Sequence, residues 1–272
     1  MKPRIVFLRG GGLGDFILTL PLLQVAYLRQ HPVHIYARSF YLKLLTKEWD
    51  WLEREDLDGL AGKVPAEVKD SIAISFWTDP AWSKEMVQAG ATAAHCLSPR
   101  PNGGKHFVIQ ACEKLGWEIP PGLLAQSFLG DCWRGKDHTL WIHPGSGGAE
   151  KNLPLVHFVS QAQKWLGLHE EKCVIFSFGE ADKEVFEQFK AEPISKNKRI
   201  LIRLPETTWD LRKQLVSEAD KFLGNDSGPG HLAANLGIPV AIGYCKTQAM
   251  VWQPTGPRVT TYLWDSDSSK IL

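Results

Sequence analysis

The chain lacks any apolar run approaching the roughly 18 residues that a membrane-spanning helix needs, so no bilayer crossing is expected. Cysteine offers neither a disulfide framework nor a zinc site. The five thiols (Cys96, Cys112, Cys132, Cys173, Cys245) are scattered, odd in number and never spaced C-x-x-C, which points to reduced thiols in a cytoplasmic protein. Excess charge is also missing. Residues 1–136 carry 16 basic against 14 acidic side chains, and residues 137–272 carry 15 against 16, so neither half is basic enough to argue for nucleic acid. An apolar strand follows almost at once on Met1, so no signal peptide is expected. What remains is an ordinary globular composition of 272 residues, 44% hydrophobic, enough for one large or two modest domains with proper cores. Its eleven tryptophans are many. Most are expected in the core, but Trp77, Trp82 and Trp252 stand in loop-like contexts where a ligand could stack.

Strand and helix patterns alternate along both halves. Residues 4–8 form a continuous apolar run of the kind found in central parallel strands. The run breaks at Gly10-Gly11-Gly12-Leu13-Gly14-Asp15, and the pattern predicts a helix over 16–29 and a strand over 33–37. Further predictions are a helix near 41–47, a strand over 71–77, a helix over 82–89, a short strand within 91–97 and a helix over 106–115. The broken stretch from 120 to 137 reads as a linker and sets the expected boundary at 136/137. The second series has strands at 139–143, 172–178, 199–203, 221–223 and 240–243. Helices are expected over 154–166, 183–190 and 208–218, and again between Pro229 and Gly237. This rhythm predicts an α/β protein with two Rossmann-like parallel sheets, each with its own glycine turn, facing one another across a cleft.

Three glycine turns hold the residues with chemistry to offer. Asp15 follows the first strand at a helix start, where it serves either as a helix cap or as a general base at the carboxyl edge of the sheet. No acidic residue closes the second strand, Val33 to Arg38, which weakens a dehydrogenase reading. In the turn from His143 to Lys151, Ser146 can donate a hydroxyl and Lys151 can neutralise a diphosphate; the alternative is a solvated charge that a helix dipole disfavours. His143 is either a structural hydrogen-bonder or a ligand. The acids after Phe178 (Glu180, Asp182, Glu184) suit a first helical turn or a ribose. In Gly224-Asn225-Asp226-Ser227-Gly228-Pro229-Gly230-His231 a strand ends at a helix start that offers N–H groups to a phosphate. Asp226 there either caps the helix or binds the hydroxyls of a sugar carried by that phosphate.

Together the three turns resemble glycosyltransferase family 9, the ADP-heptose:lipopolysaccharide heptosyltransferases. The family pattern R-x-x-x-x-G-D-x-x-x-x-x-P falls on Arg9, Gly14, Asp15 and Pro21. H-P-G-x-x-x-x-x-K-x-x-P falls on His143, Pro144, Gly145, Lys151 and Pro154. D-[ST]-G-x-x-H-L-A-x-x-x-G-x-P falls on Asp226 to Pro239. The resemblance implies a GT-B fold with an acceptor domain over 1–136 and a nucleotide-sugar domain over 137–272. It implies inverting, metal-independent transfer of a sugar, with ADP-heptose the leading donor and a lipopolysaccharide core or similar glycan the acceptor, at the inner face of the cytoplasmic membrane. The donor is a co-substrate, and no further cofactor is expected. Asp15 would be the base. Lys151, Ser146 and the amides of Ser227, Gly228 and Pro229 would hold the leaving diphosphate, with Gly147, Asp226, His231 and Glu184 completing the donor set. Gly12 and Arg100 would meet the acceptor. Another nucleotide sugar, or donor binding without catalysis, are the rival readings. Family members end in a helix, whereas 265–269 reads as non-helical, and 38–100 lacks the basic cluster expected for a phosphorylated lipid core.

Overall fold

A computed structural model describes residues 2–264, which divide into two compact units, one up to Leu123 and one from Leu124. The expectation about 265–269 lies outside the described residues.

In the first unit, β1 (Arg4–Leu8), β2 (Val33–Ala37), β3 (Glu53–Asp56), β4 (Ser71–Ser75) and β5 (Ala93–Cys96) form an all-parallel sheet in the order β3-β2-β1-β4-β5. Ile5, Val6, Phe7 and Leu8 of the central strand are fully buried. Each contributes roughly 1.5–3 kcal/mol relative to exposure, which explains why an unbroken apolar run belongs at the middle of the sheet. Around the sheet lie α1 (Leu13–Ile17), α2 (Leu20–Leu28), α3 (Ser39–Leu42), α4 (Pro80–Gln88) and α5 (Phe107–Leu115).

The single helix expected over 16–29 is two helices. Pro21 has no N–H to donate and its ring crowds the preceding turn. It therefore opens α2 instead of continuing α1, while Thr19 turns its hydroxyl onto the Asp15 carbonyl at 2.9 Å. The helix expected near 41–47 is the short α3 followed by a 3-10 turn at Lys47–Trp49. The strand β3 carries no apolar pattern, because its four residues, Glu-Arg-Glu-Asp, are all exposed. It is a strand because its backbone extends the ladder beside β2, and its charges protect a sheet edge.

The second unit contains β6 (Thr139–His143), β7 (Cys173–Ser177), β8 (Ile200–Arg203), β9 (Lys221–Asn225), β10 (Val240–Tyr244) and β11 (Val259–Leu263). They form a parallel sheet in the order β11-β10-β9-β6-β7-β8. Its helices are α6 (Leu155–Leu168), α7 (Lys183–Ala191), α8 (Thr208–Glu218), α9 (Gly228–Asn235) and the short α10 (Ala249–Trp252). One core packs Phe158, Trp165, Phe176 and Phe189 between strands and helices. Residues 124–136, expected to be linker, belong to this unit. Cys132 N–H donates to the Leu236 carbonyl at 2.9 Å, and Arg258 meets Asp131 at 2.9 Å. The boundary therefore falls between Leu123 and Leu124 rather than at 136/137. Strand β11, which the sequence reading did not include, pairs with β10 along its whole length.

Both sheets have a point where chain order reverses beside the first strand. In the first unit it lies between β1 and β4, and in the second between β6 and β9. Ligands of open parallel sheets bind beyond the carboxyl ends of the strands at such points. All three motif loops leave the sheets there.

Candidate active site

In the first unit the loop after β1 delivers Asp15 as the third residue of α1. Its Oδ2 accepts the Gly12 N–H at 2.8 Å, so it does stabilise the helix start, as the capping reading expects. Its Oδ1 meets two guanidinium groups, Arg9 at 3.0 Å and Arg100 at 3.1 Å. Arg9 is buried and stacks on Phe76 with its guanidinium carbon 4.2 Å from the ring centre. Burial pulls its pKa down to about 10 against the opposing pull of Asp15, which leaves it charged at neutral pH. Gly11 has φ +99°, and a Cβ there would lie 2.5 Å from Asp15 Oδ2, so both backbone and space require glycine. Asp15, Arg100, Phe76 and Trp77 line a cavity of about 270 Å³. The structure thus brings Gly12 and Arg100, both expected on the acceptor side, to one carboxylate.

In the second unit the two remaining loops converge. Lys151 Nζ is 3.6 Å from Asp226 Oδ2, and His231 Nε2 is 3.7 Å from Asp226 Oδ1. Thr247 donates its hydroxyl to Asp226 Oδ2 at 2.7 Å. Asp226 is buried, which alone would raise its pKa, yet His231, Thr247 and Lys151 together hold it below the usual carboxylate range. Its partners are therefore side chains rather than orphan helix N–H groups, which removes the capping reading. Lys151 ends a 3-10 turn, Ala149–Lys151, and does not open α6, so the dipole penalty expected for it does not arise.

Ser227 precedes α9, and its Oγ is buried with no hydrogen-bond partner among the described residues; the same holds for His231 Nδ1. A buried polar atom left unmatched costs about 1–3 kcal/mol. The first N–H groups of a helix also have no intrahelical partners. Gly228 and Gly230 supply such groups. Pro229, expected as a donor, has no amide hydrogen and contributes only its fixed φ. Ser146 turns its hydroxyl onto the Gly148 carbonyl at 2.7 Å and so fixes the glycine turn, in which Gly147 is exposed. Glu184 is exposed on α7 and meets Gln188 at 3.5 Å; it is not brought to Asp226 or Lys151.

Three further residues organise this half: Asn225 and Thr247, to which the sequence assigned no role, and Asp182, expected as an acid of a first helical turn or a ribose partner. Asn225 sends its side-chain N–H to the Pro144 carbonyl at 2.6 Å and accepts the Leu153 N–H at 3.0 Å, tying the two loops together. Thr247 lies in the loop after β10, with no local signal. Asp182 is buried and receives the Gly179 N–H at 2.6 Å, with His143 Nε2 at 3.4 Å. His143 also meets Ser177 Oγ at 3.0 Å, and burial lowers its pKa, so it acts as a structural hydrogen-bonder. Gly145 packs so closely on Asp182 that a Cβ there would overlap its carboxylate. Among the described residues, no three His, Cys, Asp or Glu side chains cluster to hold a metal ion, and no helix is long and apolar enough to cross a membrane.

The architecture has counterparts among solved structures. It resembles a family 9 glycosyl transferase from Veillonella parvula, with 17% identity, a TM-score of 0.70, and 96% of this chain and 86% of that one covered. It also resembles E. coli heptosyltransferase WaaC, solved with ADP, with 13% identity, a TM-score of 0.64, and 96% and 93% covered. E. coli ADP-heptose lps heptosyltransferase II follows with 14% identity, a TM-score of 0.57, and 95% and 90% covered. These likenesses define a two-unit glycosyltransferase fold. No curated protein sequence matches the chain. The profile of glycosyltransferase family 9 (heptosyltransferase) matches residues 113–270, more than half of the chain, and the protein belongs to that family. The match takes in Lys151 and Asp226 but not Asp15, whose setting is known from geometry alone.

Proposed function

We propose that the protein is an inverting GT-B glycosyltransferase that moves a sugar from a nucleoside diphosphate to a glycan hydroxyl at the cytoplasmic face of the membrane. The observation that carries this reading is the convergence of Lys151, Asp226 and, at the start of α9, the Ser227 hydroxyl that has no partner among the described residues. A helix N-terminus beside an ammonium group suits a diphosphate, and a buried carboxylate beside it suits the hydroxyls of the attached sugar. ADP-heptose is the favoured donor, supported by family membership and by the ADP bound to the WaaC relative.

In this reaction the acceptor hydroxyl gives its proton to Asp15 as its oxygen bonds the anomeric carbon. The bond from that carbon to the diphosphate oxygen breaks, and the nucleoside diphosphate leaves with the electron pair. Lys151 and the Gly228 and Gly230 N–H groups offset the charge growing on the leaving group, where electrostatic stabilisation acts on the barrier. Neither step calls for a metal.

Calorimetry with ADP-heptose, ADP-glucose, UDP-glucose and NAD tests the reading, together with transfer to a glycolipid extract in the presence of EDTA. ADP-heptose should bind, and Lys151→Ala should weaken it about 10- to 100-fold, the worth of a hydrogen bond to a charged group. Binding of NAD without any nucleotide sugar would refute the proposal.

A further inference from the structure

The larger cavity of the first unit has no part in the chemistry above. It measures about 500 Å³, and Leu57, Trp77 and Trp82 form its apolar wall, with Asp58, Lys63 and Asp79 around them. That volume falls in the roughly 300–1,000 Å³ range of small-molecule sites. Trp77 belongs to two cavities: it lines this one and also the smaller one that holds Asp15 and Arg100. The two spaces are therefore neighbours across one indole. That indole is held in place. It meets Trp82 edge to face, with centroids 5.6 Å apart at 68°, and its ring would lie 3.4 Å from a Cβ built on Gly10 in the turn that carries Asp15.

The polar residues decide which occupant fits. Two carboxylates and one ammonium group line the cavity, and Arg38 beside Asp58 balances the remaining charge. Asp79 caps α4 through one oxygen, accepting the Ala81 N–H at 2.9 Å, and Asp58 stands 4.0 Å from Arg38. A phosphorylated sugar would find no excess of positive charge here to replace the water its phosphate gives up. An acyl chain would gain burial on the apolar wall but would strip water from the two carboxylates without replacing its hydrogen bonds. A neutral pyranose satisfies both sets of groups, with its C–H face on the indole and its hydroxyls donating to the carboxylates.

We infer that this cavity is an acceptor subsite for an uncharged pyranose, stacked on Trp77 and hydrogen-bonded by Asp58 and Asp79, which presents the adjoining sugar's hydroxyl to Asp15. The inference rests on the proposed function and names its acceptor class: a glycan that is neutral next to the accepting unit. Trp77 and Asp58 then determine acceptor specificity.

Saturation-transfer NMR on the full chain provides the test, with lactose, maltose and cellobiose as neutral probes, glucose 6-phosphate as a charged probe and a short-chain phosphatidylcholine below its micelle concentration as a lipid probe. At least one neutral disaccharide should bind, Trp77→Ala should weaken it tenfold or more, and the exposed change Asp58→Asn, which spares the core, about threefold. Asp58→Lys should shift preference toward glucose 6-phosphate. The inference is overturned if no disaccharide binds, if the phosphate or the lipid binds better to the unaltered chain, or if binding survives both Trp77→Ala and Asp58→Asn. ADP binding, which belongs to the second unit, is read in the same samples. Loss of the sugar signal with ADP binding intact sinks the subsite alone, whereas absence of ADP binding sinks the donor reading and leaves the sugar result to stand by itself.

Discussion

Replacing Asp15 separates its catalytic duty from its structural one. The carboxylate bonds the Gly12 N–H and compensates Arg9, a residue only 3% exposed. Asp15→Ala removes both interactions and leaves Arg9 as a buried charge beside a second guanidinium, Arg100. Breaking a buried ion pair costs about 3–5 kcal/mol. The Asp15 side chain keeps 14% exposure, so the low end, about 3 kcal/mol, applies here. At roughly 4 °C per kcal/mol for a unit that spans residues 1–123, the melting temperature should fall by about 12 °C. Asp15→Asn keeps an oxygen for Gly12 and should lose only part of that, yet it cannot take a proton. Transfer should fall about 10²- to 10⁴-fold in the asparagine variant, the usual worth of a general base. Donor affinity should stay unchanged, because the donor residues lie on the other unit. Thermal unfolding, calorimetry with donor, and initial transfer rates on the three proteins decide the matter. Transfer within threefold of wild type in Asp15→Asn would refute the base assignment, and an unaltered melting temperature in Asp15→Ala would refute the ion-pair account.

Three further outcomes are expected. Gly145→Ala should destabilise the second unit by about 1–3 kcal/mol through overlap with the buried Asp182 carboxylate, and Asp182→Ala in the same chain should recover part of the loss in a double-mutant cycle followed by denaturant unfolding. His157 is buried on α6, and burial pulls its pKa from 6.5 down to about 4. The unfolded chain then binds the extra proton between those values, so stability should fall as pH drops from 6.5 to 4, by at most about 3 kcal/mol; His157→Phe should flatten that part of a stability–pH curve. Asp226→Asn should weaken nucleotide-sugar binding about tenfold or more but leave binding of free nucleoside diphosphate within about threefold, since the carboxylate is assigned to sugar hydroxyls; equal losses for both ligands in calorimetry would move Asp226 to the phosphate site.

Much of the fold was legible because the central strands are buried on both faces and must be apolar throughout. The runs at β1, β6 and β9 are visible for that reason. Strand β3 was not legible, since an edge strand of Glu-Arg-Glu-Asp takes its conformation from its neighbour β2 and not from its own residues. The break at Pro21 was written in the sequence but is outweighed by apolar residues on both sides until the missing N–H is counted. In the candidate site, Asp15, Lys151 and Asp226 stood out because glycine turns after apolar strands mark carboxyl-edge loops. Thr247 and Asn225 did not, because a threonine in a loop and an asparagine at a strand end have many other uses.

The sequence by itself determined two parallel-sheet halves, the three glycine turns and the family, because these depend on local pattern and on residue spacing within one loop. Only the tertiary structure decided that residues 124–136 belong to the second unit, that Asp226 faces Lys151, His231 and Thr247 instead of capping α9, and that Trp77 is the wall between two cavities. Those facts depend on which strands become neighbours. Strand order follows from packing whole helices across a sheet, and no local stretch of chain contains that information.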